Sequence, residues 1–173
     1  IVSSHNNDGY LLSGKTNVLD TVFVMKVNLT GSVLWTNHYP METLPDEFQQ
    51  LIKTTDGNYV LAGGNGNFYI YKLNESGAVL NYAEFGNFSG GQYFEEDCNS
   101  VYQTNDGGYV MCGHSDIDYD GVYELWVVKT DPNFTEQWTR TVQASSNAHT
   151  TPYIEQTTNG DYIIFSSTRL DPS

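Results

Sequence analysis

The chain has 173 residues, with 21 acidic and 7 basic side chains, a net charge of −14 and only 16% charged residues. That charge repels nucleic acid, and 14% aromatics beside so few charges exclude a charge-rich disordered segment or a long coiled coil. No apolar run approaches the roughly 20 residues of a membrane-spanning helix, whereas 13 Tyr and 16 Gly suit strands and tight turns.

The chain opens on Ile1, inside an apparent strand, and is expected to be a processed or partial product. A first unit, about 1–42, carries the turn and strand Asn7-Asp8-Gly9-Tyr10-Leu11-Leu12-Ser13-Gly14. It continues with the apolar strand Val22-Phe23-Val24-Met25-Lys26 and then Trp35. A second unit, about 48–90, repeats the turn as Asp56-Gly57-Asn58-Tyr59, the apolar strand as Phe68-Tyr69-Ile70-Tyr71-Lys72, and has Asn81 where the first has Trp35. A third, about 98–145, has Asp106-Gly107-Gly108-Tyr109, Leu125-Trp126-Val127-Val128-Lys129 and Trp138. A half unit, 152–173, has Asn159-Gly160-Asp161-Tyr162 and then stops. Asn28, Asn74 and Asp131 follow the three lysines at a constant two-residue spacing.

Each full unit reads as four short strands. In the third they are predicted at 99–104, 109–113, 124–130 and 137–142, with glycines supplying the positive φ of hairpin turns. Leu125-Trp126-Val127-Val128 is apolar on both faces, as a strand covered on each side must be. Four-strand units of about 40–50 residues predict an all-β chain of β-propeller blades. Three and a half blades are present, and propellers close with about four to eight. The chain is therefore expected to be a fragment of a seven- or eight-bladed propeller, or an open stack that associates with further blades or with itself.

The pattern Asp-Gly-x-Tyr with a following Gly, then Trp126-Val127-Val128-Lys129-x-Asp131, then a tryptophan, resembles the propeller repeats of secreted and surface proteins from Bacteroidetes. Many of those carry a type IX secretion sorting domain. The likeness covers essentially the whole chain. It departs at Asn81, at Phe134 in place of the turn glycines Gly31 and Gly77, and in the truncated last unit, and no sorting domain is read in these residues. The resemblance implies an extracellular or outer-surface location.

The sharpest local signal is Asp116-Ile117-Asp118-Tyr119-Asp120-Gly121-Val122-Tyr123-Glu124. Alternating carboxylates on a tight loop converge their oxygens on one point, which suits a hard cation such as Ca²⁺. The proposed ligands are Asp116, Asp118, Asp120 and Glu124. The loop is not an EF-hand, since its twelfth position is Val127 and no helix flanks it. It resembles the D-x-D-x-D-G-x-x-D calcium loops of integrin-type propeller blades, with Glu124 for the last Asp. The bland alternative is a solvated acidic hairpin. Between Glu95 and Asp131 there are nine acids and one base, so Glu95, Glu96 and Asp97 could join the same patch, whose alternative role is solubility.

The three lysines at fixed register argue for a structural role in every unit, pairing a turn acid or lying over an aromatic. Trp35 and Trp138 read as packing between units. Cys98 and Cys112 flank a turn, and both a disulfide and two buried free thiols remain open. No Cys/His cluster, nucleophile elbow or phosphate loop is present, and no catalytic residue is assigned. The expected function is a secreted or cell-surface binding and scaffold module, an adhesin or a subunit of an extracellular assembly, with a protein or glycan partner. The alternative is part of a propeller enzyme acting on extracellular glycans, whose acid pair would have to assemble across blades.

Overall fold

The computed structural model describes residues 1–16, 21–40, 48–64, 66–86, 96–116, 123–142 and 151–166. Fourteen strands run through them, and no helix occurs among the described residues. The first sheet is β1 (Val2–Ser3), β2 (Gly9–Thr16), β3 (Thr21–Asn28) and β4 (Val33–Pro40). The second is β5 (Phe48–Lys53), β6 (Tyr59–Gly64), β7 (Phe68–Leu73) and β8 (Val79–Phe85). The third is β9 (Asp97–Gln103), β10 (Tyr109–Ser115), β11 (Glu124–Thr130) and β12 (Glu136–Val142). The fourth has two strands, β13 (Tyr153–Gln156) and β14 (Tyr162–Phe165). In every sheet, strands adjacent in sequence pair antiparallel, so the described residues form three four-stranded antiparallel meanders followed by a two-stranded hairpin, all β. The strands predicted for the third unit all form, with β9 and β10 each reaching two residues further at one end.

The sheets stack face to face, and one joint repeats. Leu11 and Val24 of the first sheet pack on Tyr59, Leu61, Tyr71 and Leu73 of the second. The other face of the second, through Val60, Ala62, Phe68 and Ile70, meets Tyr109, Met111, Trp126 and Val128 of the third. Val110, Cys112 and Val127 on the far side of the third then bury Ile154, with Tyr162 and Ile164 packed alongside. The period-2 alternation of a strand thus sends successive residues of β6 and β10 into two different joints. Each such apolar side chain removed from water contributes about 1.5–3 kcal/mol.

Polar groups staple the same joints. The Thr55 amide donates to Gln103 and the Asn105 amide to Gln156, both at 2.8 Å, while Lys53 donates to the Ser4 carbonyl at 3.3 Å. Trp138 meets Tyr162 edge to face at 5.6 Å, as packing between units requires. Asn81, at the place of Trp35, donates instead to the Asn133 carbonyl in the next sheet's turn. Trp35 itself lies against Gly77, where a Cβ would meet its ring at 2.8 Å.

The turns explain the repeated motif. Gly57, Gly107 and Gly160 have φ of 83°, 81° and 94°, and Asn7 takes the same place at 55°. Asn28, Asn74 and Asp131 cap the outer turns by accepting two amides each, from Thr30 and Ser32, Ser76 and Ala78, and Asn133 and Thr135. Phe134 adopts the left-handed φ of 69° found at Gly31 and Gly77. This conformation costs a non-glycine residue about 1–3 kcal/mol. Its ring offsets the strain by packing, buried, against Tyr109 at 5.3 Å.

Each of the three lysines at the repeated register pairs a turn acid: Lys26 with Asp8 at 2.8 Å, Lys72 with Asp56 at 2.6 Å and Lys129 with Asp106 at 2.9 Å. In the first sheet the acid stands two residues later in the turn than Asp56 or Asp106, and it still reaches its lysine. Lys26 also bridges to Glu75 of the second sheet at 2.6 Å. Glu75 accepts from the Tyr59 hydroxyl, which accepts from the His5 amide. Burial pulls the Lys26 ammonium down, and Asp8 and Glu75 outweigh it and raise it. The Thr104 hydroxyl and Lys129, against burial, hold the Asp106 carboxyl at about 2. Burial raises Asp56, and Lys72, Thr54 and Asn58 outweigh it, leaving it well below the usual range.

These depressed carboxyls contribute stability that is complete above their unfolded values near pH ~4 and is lost as pH falls through the folded ones. The urea midpoint is therefore expected to drop as pH is lowered from about 4 towards 2, the Asp106 value. Lys129→Met should make that decline shallower. A midpoint that stays flat across this window in the wild-type chain would remove the linkage.

The corresponding joint between the second and third sheets lacks the acid. Pro132 holds the place of Glu75, and the buried Tyr109 hydroxyl has no hydrogen-bond partner among the described residues. Pro132→Glu is expected to give Tyr109 an acceptor and Lys72 a second carboxylate, raising stability by about 1 kcal/mol. The check is chemical denaturation of Pro132→Glu beside Pro132→Glu/Tyr109→Phe. The gain should shrink in the double variant, and an equal gain would rule out the rebuilt bond.

Candidate functional site

The pairing of β10 with both neighbours gathers acids at one end of the third sheet. The register sets His114 opposite Asp97 and Ser115 opposite Glu124. His114 Nε2 lies 3.3 Å from Asp97 Oδ2, and Ser115 Oγ donates to Glu96 Oε1 at 3.0 Å. Tyr123 closes on the His114 ring edge to face at 5.4 Å. Glu96 is 1% exposed and Glu124 7%, while Asp116 follows directly on β10 and is partly buried. The missing side chain of Gly113 permits this crowding, because a Cβ there would lie 1.8 Å from the Asp97 carbonyl oxygen, and the register of β10 against β9 shifts between Cys112 and Gly113.

The second sheet contributes to the same end. The Glu96 carboxylate approaches Gly86 so closely that a Cβ there would stand 2.6 Å from Oε2, with Asn67 Oδ1 beside it. Asn67 donates in turn to Glu84, which also accepts from the Tyr69 hydroxyl at 3.1 Å. The cluster therefore lies where the second and third sheets meet, at the end opposite the lysine–acid turns.

Of the four residues predicted as ligands, Asp116 and Glu124 are placed at this end. Asp118 and Asp120 lie outside the described residues. Among the described residues no three of His, Cys, Asp and Glu converge as a metal-binding group. Glu96 and Asp97 do reach the same end, as their sequence neighbourhood suggested, while Glu95 lies outside the described residues. Sequence reasoning missed the parts of His114, Ser115, Asn67 and Glu84. The available signal was register, since Ser115 opposite Glu124 follows from aligning Tyr109 with Thr130. The donor set is oxygen-rich, which fits a hard cation rather than zinc.

A second concavity opens along the edge strands β5, β9 and β13. It has a volume of about 330 Å³ and is lined by Gln50, Lys53, Val101, Gln103 and Tyr153, among others, with no carboxylate in the lining. No paired acids for glycosidic chemistry stand there. Among the described residues no helix is long and apolar enough to cross a membrane.

The cysteines are free thiols. Register places Gly113 opposite Cys98 and Ser100 opposite Cys112, so the two side chains enter different joints on opposite faces of the sheet. Burial pushes the Cys98 thiol well up and Cys112 to about 12. Both are protonated at neutral pH and unsuited to nucleophilic work. A thiol reagent is expected to leave both untouched in the native chain and to titrate both in urea. Rapid native labelling of either would show that its joint opens.

No family model matches the chain, and comparison with curated proteins gives no match. Among solved structures it is similar to a protein of unknown function from Bacteroides caccae, at 19% sequence identity and a TM-score of 0.49. The likeness covers 88% of this chain and 51% of that one, so this chain spans about half the length of that protein.

Proposed function

We propose that the chain is a run of β-propeller blades serving as an extracellular or cell-surface binding and scaffold module, with a Ca²⁺ site on its third blade. The observation that carries this reading is the repeated joint. The second and third meanders each pack two apolar faces in the same order, and the first and last sheets join them through one face each, which suits blades arranged around an axis. The inner strands β5, β9 and β13 stand next to one another along the open concavity, as inner blade strands do. The resemblance to secreted repeats supports the location. Protein or glycan partners would engage the blade ends, because the broad faces between sheets are occupied by packing.

Asp116 and Glu124 would hold the cation together with Asp118 and Asp120, and Ca²⁺ would supply charge neutralisation and loop order there. Glu96, buried beside Ser115, would add negative potential behind the site. The cation would then bind only the folded loop and stabilise the chain by mass action. At a free concentration about 100 times its Kd, the gain is about 2.7 kcal/mol.

The test is thermal unfolding of the purified chain in millimolar Ca²⁺ and in chelator. Chelator is expected to lower the melting temperature, Asp118→Ala to abolish the difference, and Glu124→Gln to reduce it. Equal melting temperatures in the wild-type chain, or an undiminished difference in Asp118→Ala, would leave the acidic loop as a solubility feature.

A further inference from the structure

The three lysines at the repeated register are completed in different ways. Lys26 pairs with Asp8 and takes a second carboxylate from the next sheet, Glu75, at 2.6 Å. Lys129 pairs with Asp106 and also donates to its own sheet's Gln137 Oε1 at 2.9 Å and to the Thr130 carbonyl at 2.8 Å. Lys72 pairs with Asp56 and meets neither complement, since Pro132 stands at the place of Glu75 and Leu80 at the place of Gln137. Its side chain is 16% exposed, against 6% for Lys26 and 3% for Lys129.

The tyrosine of the same joint repeats the mismatch. Tyr59 donates to Glu75, so one carboxylate bridges that hydroxyl and the Lys26 ammonium between the first and second sheets. Tyr109 holds the place of Tyr59 between the second and third, is 0% exposed, and its hydroxyl has no hydrogen-bond partner among the described residues. Phe134 covers its ring and offers no acceptor. Burial, and then the charge of Asp56, push the phenol up to about 12, which sets the hydroxyl on the side of the Lys72–Asp56 pair. Two donors that hold a carboxylate at one joint therefore recur at the next, where the sequence supplies proline.

We propose that the chain binds a carboxylate from outside itself at this joint, held by the Tyr109 hydroxyl and the Lys72 ammonium as Glu75 is held by Tyr59 and Lys26. The first joint selects the ligand chemistry, because it shows what this donor pair holds. Hydrogen bonds to an ionised acceptor are the strong ones, and an ammonium has three donors to place. A carboxylate there also relieves the desolvation cost of a buried hydroxyl without an acceptor. The place is reachable from solvent: the Glu75 side chain that fills it in the first joint is 27% exposed. A net charge of −14 opposes loose association of anions, so saturable binding reports specific donors. The carboxylate comes from a small free anion or from the acidic side chain of a bound partner. The site lies among the lysine–acid turns, and it depends neither on the Ca²⁺ site at the opposite end nor on any further blade.

The experiment is a nuclear magnetic resonance titration of the isotope-labelled chain with sodium acetate near neutral pH, against sodium chloride at equal ionic strength. Acetate is expected to give saturable shifts at the amides of Lys72, Tyr109 and Asn133, and chloride is not. Tyr109→Phe removes a hydroxyl that pairs with nothing in the chain, so folding should persist while acetate binds about tenfold more weakly or worse. Pro132→Glu should abolish the binding by supplying the carboxylate from within. Glu75→Ala should gain a second acetate site, read at Tyr59 and Lys26, which calibrates the donor pair. The capped tripeptide acetyl-Gly-Glu-Gly-amide separates the two sources. Saturable shifts with it extend the site to a partner's side chain, and shifts with acetate alone assign it to free anions; either result supports a carboxylate site. No saturable acetate shifts in the wild-type chain, whether or not Glu75→Ala gains its site, would overturn the proposal. So would acetate binding that is undiminished in Tyr109→Phe or in Pro132→Glu.

Discussion

A sheet with two apolar faces must be covered twice. β6 and β10 are buried along their whole lengths, with aliphatic, aromatic or small side chains on both sides. No arrangement with one solvated face would accommodate Val60 together with Leu61, or Val110 together with Met111. The joint between sheets is therefore the unit of stability, and the meander supplies both of its halves. It also fixes where polar chemistry can occur. Charges excluded from the broad faces collect at the strand ends, with lysine–acid turns at one end and carboxylates at the other.

The lysine–acid pairs show how tightly this constraint acts. Lys26 and Lys129 are buried, and an ammonium taken out of water needs a partner. The turn acid supplies it in each full sheet, and when the turn of the first sheet places Asp8 at a different step, the pair still forms. The last unit has Asn159 at the acid position. Asn159 instead accepts from Thr157 and donates to Asp161, a local turn lock. Repetition of the lysine is thus a requirement of burial, and it carries no implication of catalysis.

Much of the architecture was legible because strand and turn signals are local. Tyr109, the Asp-Gly-Gly turn and Leu125–Lys129 mark three strands without reference to anything distant. What was not legible depended on register between strands. The opposite facing of Cys98 and Cys112 arises from a one-residue bulge, which shifts the side of the sheet without changing composition. The contributions of His114 and Ser115 are hidden for the same reason, since nothing in a run of seven residues says which end will stand beside Glu96. Phe134 was visible as a departure from glycine, but its compensation by Tyr109 needs three-dimensional packing. Asp118 and Asp120, the centre of the acidic motif, lie outside the described residues.

Comparison of equivalent strand ends separates what the fold demands from what it leaves open. At the end of β2 and β3 the chain pairs Thr16 with Thr21, and Lys15 precedes them. At the same place in the third sheet stand Ser115 with Glu124, preceded by His114. Both sets are compatible with the same meander, so the joint does not choose between them. The third sheet nevertheless buries two carboxylates there, which costs desolvation that a threonine pair avoids. The third sheet's end thus carries buried carboxylates that the same meander does without in the first sheet.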